Sequence, residues 1–551
     1  MTLKSKNFPG FLPLGGLLEA NARRYPNRIA LIKKEVFTYG QMEDAVKRIA
    51  FQLKKRGVRK GDKIGILAEN GPFWILSFFA IEYVGGVCVP LDVRSGALEL
   101  KGIMEHSETS FLFAQGKFLK SIEDFVRERM IGLILLDGEG SEHSIWSFLS
   151  QEPAYAVRES RSLEEPCIIF YTSGTTGAQK GVVLTHRNVV SNIDSLLRAV
   201  NVDENDRFFS LLPLSHAYEL VAGNLVPIAA CASIAYSSSL KPKEMLEEMV
   251  ASKPTIILTV PLILEKLLKG IERRIREFSG VKRLIFQTCM RFPGLKGVVG
   301  RKIRESMGLE RLRFFVSGGA HLPESVELGL RKFGIQVIQG YGLTEASPVV
   351  SLNPPERPRP GSCGIPLPDV QVMIIDKRED GIGEIVVKGQ NVMKGYYKNE
   401  KATSEAILPD GSLLTGDVGY LDTDGYLYIT GRKKSVIITR GGLTIYPEEI
   451  ENALAQSPFI KDVLVIKKEK GHGEELHAII VPEEESFRER TGHLSSPIEE
   501  ASVVHEIIRG EIDRISKNLA DYKRIRNFSI RSEDFPKTAS GKIKRYLFAE
   551  S

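Results

Sequence analysis

The chain has 551 residues, of which 42% are hydrophobic and 26% charged, and its formal net charge is +6. A single core seldom grows beyond roughly 250–300 residues, so this length predicts more than one domain in an otherwise ordinary globular protein. The positive excess suits anionic ligands and transient contact with an acidic membrane surface, although a mildly basic surface explains it equally well, and it is too diffuse to indicate nucleic acid.

Two further features predict a cytoplasmic protein. The cysteines lie far apart in sequence, which excludes a CxxC metal or redox pair and argues against a disulfide framework; they are Cys88, Cys167, Cys231, Cys289 and Cys363. No secretory leader is visible, and the most apolar stretch, 74–89, contains Glu82 and a Gly-Gly pair. It is also shorter than the roughly 20 residues that a membrane-spanning helix needs.

Short apolar runs alternate with helical patterns through most of the chain. This alternation predicts an α/β fold with mostly parallel, buried strands. In chain order the clearest elements are a strand at 63–68, a helix at 73–83, and strands at 87–91, 167–171, 255–260 and 312–317.

The pattern changes near Val370. Strands predicted at 370–375, 383–388 and 426–429 are separated by polar turns, which is typical of antiparallel strands in a smaller barrel-like unit. A charged break, Gly431-Arg-Lys-Lys-Ser435, follows, and a helix is predicted to begin near Pro447. We therefore predict a large N-terminal domain of stacked α/β subdomains plus a small β-barrel over 1–431, and a small mobile α+β domain over 432–551.

The segment Tyr171-Thr-Ser-Gly-Thr-Thr-Gly-Ala-Gln-Lys-Gly181 combines five hydroxyl-bearing residues, three glycines and one lysine. Glycines let the backbone approach an anion, hydroxyl and amide groups bond its oxygens, and Lys180 adds a compact charge. A Walker loop is excluded because Lys180 lies between Gln179 and Gly181. We interpret the segment as a binding loop for a nucleotide triphosphate; the alternative is a flexible linker.

Three later motifs are each only moderately specific. Gly340-Tyr-Gly-Leu-Thr-Glu345 offers an aromatic ring, a hydroxyl and a carboxylate for a base, a phosphate and Mg²⁺, or it is a surface turn. Thr415-Gly-Asp417 suits ribose hydroxyls or is an ordinary turn. Pro536-Lys-Thr-Ala-Ser-Gly-Lys542 places a lysine on a turn near the C-terminus or is a basic tail.

Taken together and in this order, these motifs resemble the signature series of the adenylate-forming superfamily, which includes acyl-CoA synthetases, adenylation domains of peptide synthetases and beetle luciferases. The resemblance extends from about Leu14 to Arg545. It implies a ligase in which a carboxylate attacks the α-phosphate of ATP to give acyl-AMP, and a thiol such as that of CoA then displaces AMP. Mg²⁺ offsets the charge of the triphosphate.

The resemblance also implies roles for individual residues. Lys542 bridges the carboxylate and the α-phosphate, while Thr172 and Glu345 lie near Mg²⁺ and Thr344 near a phosphate. Residues implied to orient the β- and γ-phosphates are Thr172, Ser173, Gly174, Thr175, Thr176, Gly177 and Lys180. Residues implied to frame adenine or hold ribose are Gly319, Gln339, Gly340, Tyr341, Asp417 and Arg432.

The small domain of this family rotates between the two half-reactions. The hinge matches Lys434, and the loop that admits the pantetheine arm matches Thr439-Arg-Gly-Gly-Leu443, with Gly441 and Gly442 close to the arm. Some relatives carry a lysine near the position of Ile438 that assists the second step. It is missing here, so that role is not carried over.

The residues Leu211-Leu-Pro-Leu-Ser-His-Ala-Tyr-Glu219 and the stretch 260–266 resemble the acyl site of long- and medium-chain fatty acyl-CoA synthetases. The resemblance implies that His216 lies near the substrate carboxylate, although a lone histidine also serves as a structural hydrogen-bonding residue. Amino-acid-activating relatives have an aspartate here, and this chain has none between Leu211 and Leu225. We therefore predict a fatty acid, with CoA as acceptor.

Three alternatives remain. An acyl carrier protein presents the same thiol as CoA, so an acyl–carrier-protein synthetase is the second hypothesis. A nucleotide-binding regulatory protein without catalysis is disfavoured by Lys542, Glu345 and the phosphate loop. A peptide-synthetase module is disfavoured by the missing aspartate and because only six residues follow Arg545. The sequence does not indicate an oligomeric state.

Overall fold

The computed structural model describes residues 8–138, 143–150, 154–173, 179–239, 241–435, 437–438, 444–470, 473–484, 486–487, 497–517, 519, 523–537 and 543–548. The chain divides into two compact units, Met1–Met373 with Val386–Leu414, and Ile374–Ile385 with Thr415–Ser551. The second unit therefore includes strands that precede Arg432. The domain boundary at 431/432 and the hinge at Lys434 stay predictions.

The helices in the described parts of the chain are mostly short. In chain order they are α1 (Leu14–Arg24), α2 (Tyr39–Lys55), α3 (Pro72–Tyr83), α4 (Ala97–Ser107), α5 (Gly116–Leu119), α6 (Glu123–Glu128), α7 (Ile145–Ser150), α8 (His186–Ala199), α9 (Val226–Ala229), α10 (Pro242–Ser252), α11 (Pro261–Arg276), α12 (Gly280–Arg291), α13 (Pro293–Glu305), α14 (Glu324–Arg331), α15 (Glu400–Ala406), α16 (Pro447–Leu454) and α17 (Pro497–Ser516). A π-helical segment spans Tyr218–Leu225, and 3₁₀ turns span Thr344–Ala346, Lys433–Ser435 and Arg545–Leu547.

The strands alternate with these helices in the first part of the chain and follow one another in the last part. They are β1 (Ile29–Ile32), β2 (Val36–Thr38), β3 (Lys63–Leu67), β4 (Val87–Leu91), β5 (Thr109–Ala114), β6 (Gly132–Leu135), β7 (Pro166–Ser173), β8 (Gln179–Thr185), β9 (Arg207–Ser210), β10 (Ser233–Tyr236), β11 (Ile256–Thr259), β12 (Phe314–Ser317), β13 (Val337–Gly342), β14 (Val349–Leu352), β15 (Ile365–Pro366), β16 (Gln371–Ile375), β17 (Gly383–Lys388), β18 (Gly395–Tyr396), β19 (Leu413–Leu421), β20 (Leu427–Arg432), β21 (Ile437–Ile438), β22 (Thr444–Ile445), β23 (Ile460–Lys470), β24 (Gly473–Pro482) and β25 (Asn527–Ile530).

Two large sheets organise the described part of the first unit. One has nine strands in the order β15-β14-β13-β12-β11-β9-β10-β1-β2, and the other has seven in the order β18-β8-β7-β4-β3-β5-β6. The pairs from β1 through β10, β9, β11 and β12 to β13 are parallel, as are β7–β4, β4–β3, β3–β5 and β5–β6. The prediction of an α/β fold with mostly parallel strands is confirmed.

The apolar stretch 74–89 is buried rather than spanning a membrane. Helix α3 is buried on all sides, with Trp74, Phe78 and Phe79 among the largest fully enclosed side chains. It leads through Gly85 into β4, as the sequence predicts. Among the described residues, no helix combines the length and apolar character that crossing a membrane requires.

Helix α8 fixes the loops around the large sheets. It begins directly after β8, where the Thr185 hydroxyl accepts a hydrogen bond from the amide of Asn188 and the Asn188 side chain accepts one from the amide of Thr185. The Asn188 Nδ2 then donates to the carbonyls of Gln390 and Val392, at 2.8 and 2.7 Å. Asn192 Nδ2 donates to the Val349 carbonyl at 2.7 Å. This helix therefore holds in place the segments that precede β18 and begin β14.

The second unit is mostly antiparallel. The strands β16-β17-β19-β20 form a four-stranded sheet in that order, at the position of the predicted small barrel, and β19 and β20 are antiparallel. A separate three-stranded sheet, β23-β24-β25, packs against α16 and α17 around a core that includes Ile450, Ile480 and Ile512. Helix α16 begins at Pro447, as predicted, with Glu448 and Glu449 in its first turn.

Candidate functional site

The predicted acyl and adenine segments follow neighbouring strands of the nine-stranded sheet. Strands β9, β11, β12 and β13 are adjacent and parallel, so their carboxyl ends lie at one edge. The segments after these strands are 211–219, 260–266, 318–319 and, at the end of β13, 340–345. Ligands of open α/β sheets bind at the carboxyl ends of the strands. The fold therefore brings the predicted acyl and adenine segments to one edge.

The predicted phosphate loop belongs to a β-hairpin of the seven-stranded sheet. Strands β7 and β8 are antiparallel, with Thr172 opposite Lys180 and Ser173 opposite Gln179. The pairing holds Thr172 and Lys180 side by side at the base of the intervening segment. Gly174, Thr175, Thr176 and Gly177 lie outside the described residues.

Tyr396 joins Lys180 to Glu345. The Lys180 ammonium lies 4.8 Å from the centre of the Tyr396 ring, a cation–π contact, and the Tyr396 hydroxyl donates a hydrogen bond of 2.9 Å to Glu345 Oε1. The backbone supports both contacts, because Tyr396 pairs with Val182 of β8 and the amide of Met393 donates to the Glu345 carbonyl at 2.8 Å. Burial and the Glu345 carboxylate raise the Tyr396 pKa, so the hydroxyl keeps its proton.

Glu345 and Thr172 fit the pattern of a magnesium site that the nucleotide completes. Thr344 and Glu345 lie in a 3₁₀ turn after β13, and Thr172 lies near the end of β7. In the described parts of the chain, no group of three or more His, Cys, Asp or Glu side chains could hold a metal ion by itself. Mg²⁺ usually takes one or two carboxylates and completes its shell with waters and substrate phosphates. A single carboxylate beside a hydroxyl-rich hairpin suits that mode of binding.

The residues predicted to frame adenine lie on β12 and β13 and the turns that follow. Gly319 has a φ of +82°, a conformation that side-chain-bearing residues rarely adopt. Gly340 pairs with Leu352 on β14, and a Cβ atom at Gly340 would lie 3.0 Å from Leu352 Cδ1. Gln339 is buried and donates to Cys363 Sγ at 3.2 Å, and the partly buried Tyr341 pairs with Ser351. A side chain at Gly340 would therefore crowd Leu352, whereas Gly319 is required by its φ rather than by lack of space.

His216 is held by two residues that the sequence analysis did not single out. Its Nε2 lies 3.2 Å from Asp92 Oδ2 and 3.1 Å from Arg94 Nη2, and Arg94 pairs with Asp92 at 2.7 Å. Nε2 accepts from Arg94 when the imidazole is neutral and donates to Asp92 when it is protonated. Burial alone raises the pKa of Asp92, but hydrogen bonds from His216 and Arg94 outweigh it and keep this pKa well below its usual range.

Asn70 joins the two large sheets beside this triad. It follows β3, and its Nδ2 donates to Ser210 Oγ at 3.1 Å and to the Leu212 carbonyl at 2.6 Å. Its Oδ1 accepts from the Leu214 amide at 3.0 Å. A signal for these residues was present in the sequence, because Asn70, Asp92 and Arg94 follow the predicted strands 63–68 and 87–91 at their carboxyl ends.

Glu219 is enclosed within the π-helical segment that follows His216. It is 1% exposed, and neither carboxyl oxygen has a hydrogen-bond partner within 3.5 Å among the described residues. Burial raises its pKa to about 8, although Ser210 and the Leu212 backbone partly oppose that shift. Glu219 is therefore mostly neutral at pH 7. A π-helix is rare and is often found at functional sites.

The predicted ribose-binding residues form a pair within the second unit. Asp417 on β19 lies opposite Arg432 on β20, and Arg432 Nε lies 3.0 Å from Asp417 Oδ1. The Asp417 amide donates to Thr415 Oγ1 at 3.1 Å, and that hydroxyl donates to the Ile385 carbonyl at 2.7 Å. The Asp417 side chain is 8% exposed while that of Arg432 is 45% exposed. The Asp417 carboxylate is thus mostly enclosed and paired with Arg432.

Several predicted residues lie where the structure does not describe them. Gly441, Gly442 and Lys542 are outside the described residues. The backbone of Lys434, by contrast, is described and lies in the 3₁₀ turn after β20. The residues on either side of 538–542 are anchored, since Lys537 and Ile543 form an antiparallel bridge and the Lys544 amide donates to the Pro536 carbonyl at 2.9 Å. Arg545 also pairs with Glu451 on α16.

Family models provide the decisive comparison. The model described as "AMP-binding enzyme" matches residues 18–397, and "AMP-binding enzyme C-terminal domain" matches residues 449–542. The chain belongs to the AMP-binding enzyme family. The predicted family and enzyme class are confirmed, and this AMP-binding enzyme has both the large domain and the C-terminal domain of its family.

Named relatives of this AMP-binding enzyme act on different acids. The long-chain-fatty-acid–CoA ligase FadD15 of Mycobacterium bovis is 30% identical, with 93% of this chain and 90% of the relative covered. The indoleacetate–CoA ligase of Aromatoleum aromaticum is 27% identical, with 97% of each covered. The chloroplastic long-chain-fatty-acid–[acyl-carrier-protein] ligase AEE15 of Arabidopsis thaliana is 28% identical, with 85% and 76% covered.

A solved structure shows the same fold with nucleotide bound. The o-succinylbenzoate CoA synthetase of Bacillus subtilis in complex with ATP and magnesium superposes with a TM-score of 0.76 at 27% identity, covering 96% of this chain and 98% of that one. The prediction of ATP, Mg²⁺ and CoA as cofactors of a ligase is confirmed by these comparisons.

Proposed function

We propose that the protein activates a fatty acid with ATP and transfers the acyl group to CoA. A carboxylate oxygen of the acid attacks the α-phosphorus and pyrophosphate leaves with the electron pair of the broken P–O bond. The thiol sulfur of CoA then attacks the acyl carbon of acyl-AMP, and AMP leaves. Free carboxylates are poor electrophiles, and the AMP ester supplies a good leaving group.

The observation that supports a fatty acid is the enclosure of Glu219, which is 1% exposed within the π-helical segment. Glu219 is the only acidic residue between Leu211 and Leu225, and its raised pKa of about 8 leaves it mostly uncharged at pH 7. The acyl segment therefore offers no carboxylate to bind a substrate amine. The residues that follow, 226–236, are almost entirely apolar and buried. Both features favour an apolar acid over an amino acid, as does the similarity to the fatty-acid ligase of Mycobacterium bovis.

The first half-reaction brings an anion to a polyanion, so the site needs positive charge placed in advance. Lys180 is held at the base of the phosphate hairpin by the Tyr396 ring. Mg²⁺ at Glu345 and Thr172 would neutralise triphosphate charge. We assign the ribose to Asp417 and Arg432, the adenine to the 339–341 strand with Gly319, and the bridging of carboxylate and α-phosphate to Lys542, as the family resemblance implies.

His216 is assigned to the substrate carboxylate. The His216 Nε2 atom contacts both Arg94 and Asp92, so the imidazole belongs to a hydrogen-bonded triad within the acyl segment 211–219. An N–H donor from His216 or Arg94 would orient the substrate carboxylate for attack on the α-phosphorus. The assignment extends the prediction made from sequence, and it adds Arg94 as a second donor.

An acyl carrier protein is the second candidate acceptor. It presents the same pantetheine thiol as CoA, and the Arabidopsis thaliana relative is named for that acceptor. Aryl acids are the competing substrate class, because the Aromatoleum aromaticum relative is named for indoleacetate. The identity of the acceptor and the identity of the acid are independent questions, so each needs its own assay.

The experiment is a matrix of acids and acceptors. Pyrophosphate release is measured with short, medium and long fatty acids, with indoleacetate and benzoate, and with a set of amino acids; thioester formation is then measured with CoA and with holo acyl carrier protein in parallel. We expect a fatty acid to give the highest kcat/KM and CoA to accept the acyl group. An aryl or amino acid with a higher kcat/KM than every fatty acid overturns the proposed substrate class. Exclusive transfer to the carrier protein overturns CoA as the proposed acceptor.

A further inference from the structure

A helical hairpin in the first unit exposes a patch of apolar side chains. Helices α12 and α13 follow one another closely and lie against each other, and α12 contains no buried residue. Six apolar side chains of the hairpin are between 47% and 71% exposed: Val281, Leu284, Ile285, Phe292, Leu295 and Val298. We call these six residues the hairpin patch.

The hairpin patch lies on one side of the helices. Val281, Leu284 and Ile285 have the i, i+3, i+4 spacing of one helix face, and Leu295 and Val298 repeat it on α13. Other residues of the same helices, Phe286 and Met290, pack against the core that surrounds the nine-stranded sheet. The hairpin is therefore a fixed part of the fold with two apolar sides, and one of them faces solvent. Single exposed apolar residues are normal, but a contiguous group marks an interaction surface.

The positive charge of the chain is concentrated on the same hairpin. Residues 280–305, the two helices of the hairpin, contain seven Lys or Arg and a single acidic residue, Glu305. The whole chain has 75 Lys and Arg against 69 Asp and Glu, so outside this segment 68 of each remain. The sequence predicts a diffuse charge excess; this count corrects that expectation, because the excess lies on the hairpin. Exposed members are Lys282, Arg283, Arg291, Arg301 and Lys302, and no ion pair to them is found among the described side chains.

We propose that the α12–α13 hairpin docks the protein on an anionic phospholipid surface. Apolar side chains interleaved with cations suit the boundary between lipid acyl chains and headgroup phosphates. The apolar side chains enter the hydrocarbon, and the Lys and Arg side chains bind the phosphates. Nucleic acid would use the cations but leave the hairpin patch in water. A second copy of the same face would cover the patch but bring like charges together.

One helix separates the hairpin from the carboxyl-end edge of the nine-stranded sheet, where the acyl and adenine segments lie. Helix α11 begins at Pro261, directly after β11, at the edge where the motif segments lie, and it ends at Arg276, next to the hairpin. Its 16 residues span about 24 Å. Docking would therefore hold the protein on the membrane through a site distinct from the nucleotide-binding residues, whichever acid is activated. The proposal does not depend on the identity of the substrate.

The test is flotation of the full-length protein with vesicles of phosphatidylcholine alone or of phosphatidylcholine mixed with phosphatidylglycerol. Each Lys or Arg near an anionic surface strengthens binding by about fivefold. We expect binding to the mixed vesicles only, weakening as salt rises, and reduced by about 25-fold or more in the Lys282→Glu/Arg283→Glu variant. The matched control is Arg331→Glu/Lys332→Glu, an exposed pair of the same composition on and just after α14.

A second pair of variants tests the apolar contribution. Leu284→Ser/Ile285→Ser is expected to lose binding to the mixed vesicles, whereas Met130→Ser/Val157→Ser, which changes two apolar residues elsewhere that are even more exposed, is expected to retain it. Pyrophosphate release without vesicles and the Tm should match the wild type in all four variants. Absence of vesicle binding, or equal binding by hairpin and control variants, overturns the proposal. So does a concentration-dependent dimer that Leu284→Ser/Ile285→Ser dissolves, because the patch would then be a self-association surface.

Discussion

The hydroxyl of Tyr396 donates a hydrogen bond of 2.9 Å to Glu345. The two residues are 51 positions apart, yet the same tyrosine ring supports the Lys180 ammonium. One side chain thus orients the proposed metal-binding carboxylate and the phosphate-loop lysine together. Since both charges have to be in place before the nucleotide arrives, Tyr396 is a positioning residue for the adenylation step.

Tyr396→Phe removes the hydroxyl and keeps the ring under Lys180. A hydrogen bond to a charged group contributes roughly 1.5–3 kcal/mol, so we expect kcat/KM for pyrophosphate release to fall about 10- to 100-fold. The Mg²⁺ concentration that gives half-maximal rate should rise, because Glu345 loses its orientation. Initial rates across a Mg²⁺ series at fixed ATP measure both effects.

Tyr397→Phe is the matched control for this variant. The Tyr397 hydroxyl donates 2.9 Å to Glu108, whose side chain is 59% exposed and lies outside the proposed site. We expect its rate and Mg²⁺ dependence to stay within about twofold of wild type, because exposed polar contacts contribute little. Equal behaviour of the two phenylalanine variants would remove the positioning role of Tyr396.

Asp92→Asn tests the triad around His216. The substitution removes the carboxylate that pairs with Arg94 at 2.7 Å and lies 3.2 Å from His216. If these donors bind the substrate carboxylate, kcat/KM for the acid should fall about tenfold or more while KM for ATP stays nearly constant. Asp137→Asn, which changes a carboxylate that accepts from the Gly116 amide, serves as control. A variant whose loss appears in KM for ATP instead would place Asp92 in a general structural role.

Much of this arrangement could be predicted from sequence because its signals are local. Apolar runs at 63–68 and 87–91 correspond to β3 and β4, and the combination of glycines, hydroxyl-bearing residues and one lysine marks the phosphate segment 171–181. Tyr396 could not be found in this way. Its function depends on the pairing of β18 with β8, and no local pattern states which strand lies beside which. The pairing of β7 with β8, which makes the phosphate segment a hairpin, could not be predicted for the same reason.

The acyl segment shows a different limit. The sequence contains Glu219 and predicts no partner for it, but its burial within a π-helix and the resulting neutral state depend on the packing of β9, β10 and the π-helix. The positive excess was expected from the sequence to be diffuse, and its clustering on α12 and α13 was not predicted. That the cations belong to a docking surface could be inferred only from the exposure of the apolar side chains between them, which depends on packing.

Lys542→Ala tests the proposed role of the C-terminal lysine. If Lys542 bridges the carboxylate and the α-phosphate, adenylation should fall by about 10² or more, because the loss of one charged donor at a transition state has that magnitude. Thioester formation from supplied acyl-AMP and CoA should stay close to wild type. Single-turnover assays of each half-reaction separate the two. Lys537→Ala, which changes a lysine paired with Asp462 at 2.8 Å, is the control; loss of both half-reactions in Lys542→Ala would contradict the role.

Glu219→Gln should change how stability depends on pH. The pKa of this carboxyl is raised from 4.5 to about 8 by burial, so the folded protein keeps a proton that the unfolded chain releases above about pH 4.5. The stability associated with that proton is therefore fully present at low pH and is lost as the pH rises toward 8. A shift of this size corresponds to roughly 3–5 kcal/mol at most. Glutamine stays neutral at every pH and should remove that loss.

Calorimetric Tm values across pH 5 to 9 check this expectation. The Tm of Glu219→Gln should exceed that of wild type by a margin that grows between about pH 5 and pH 8 and then levels off. Glu82→Gln should behave similarly, because burial also raises the pKa of Glu82 to about 8, and the double variant should show a still flatter profile. Glu247→Gln, on the exposed face of α10, should follow the wild-type profile. A pH-independent difference between Glu219→Gln and wild type would mean that Glu219 is ionised in the folded protein, and the argument for an apolar acid would lose its main support.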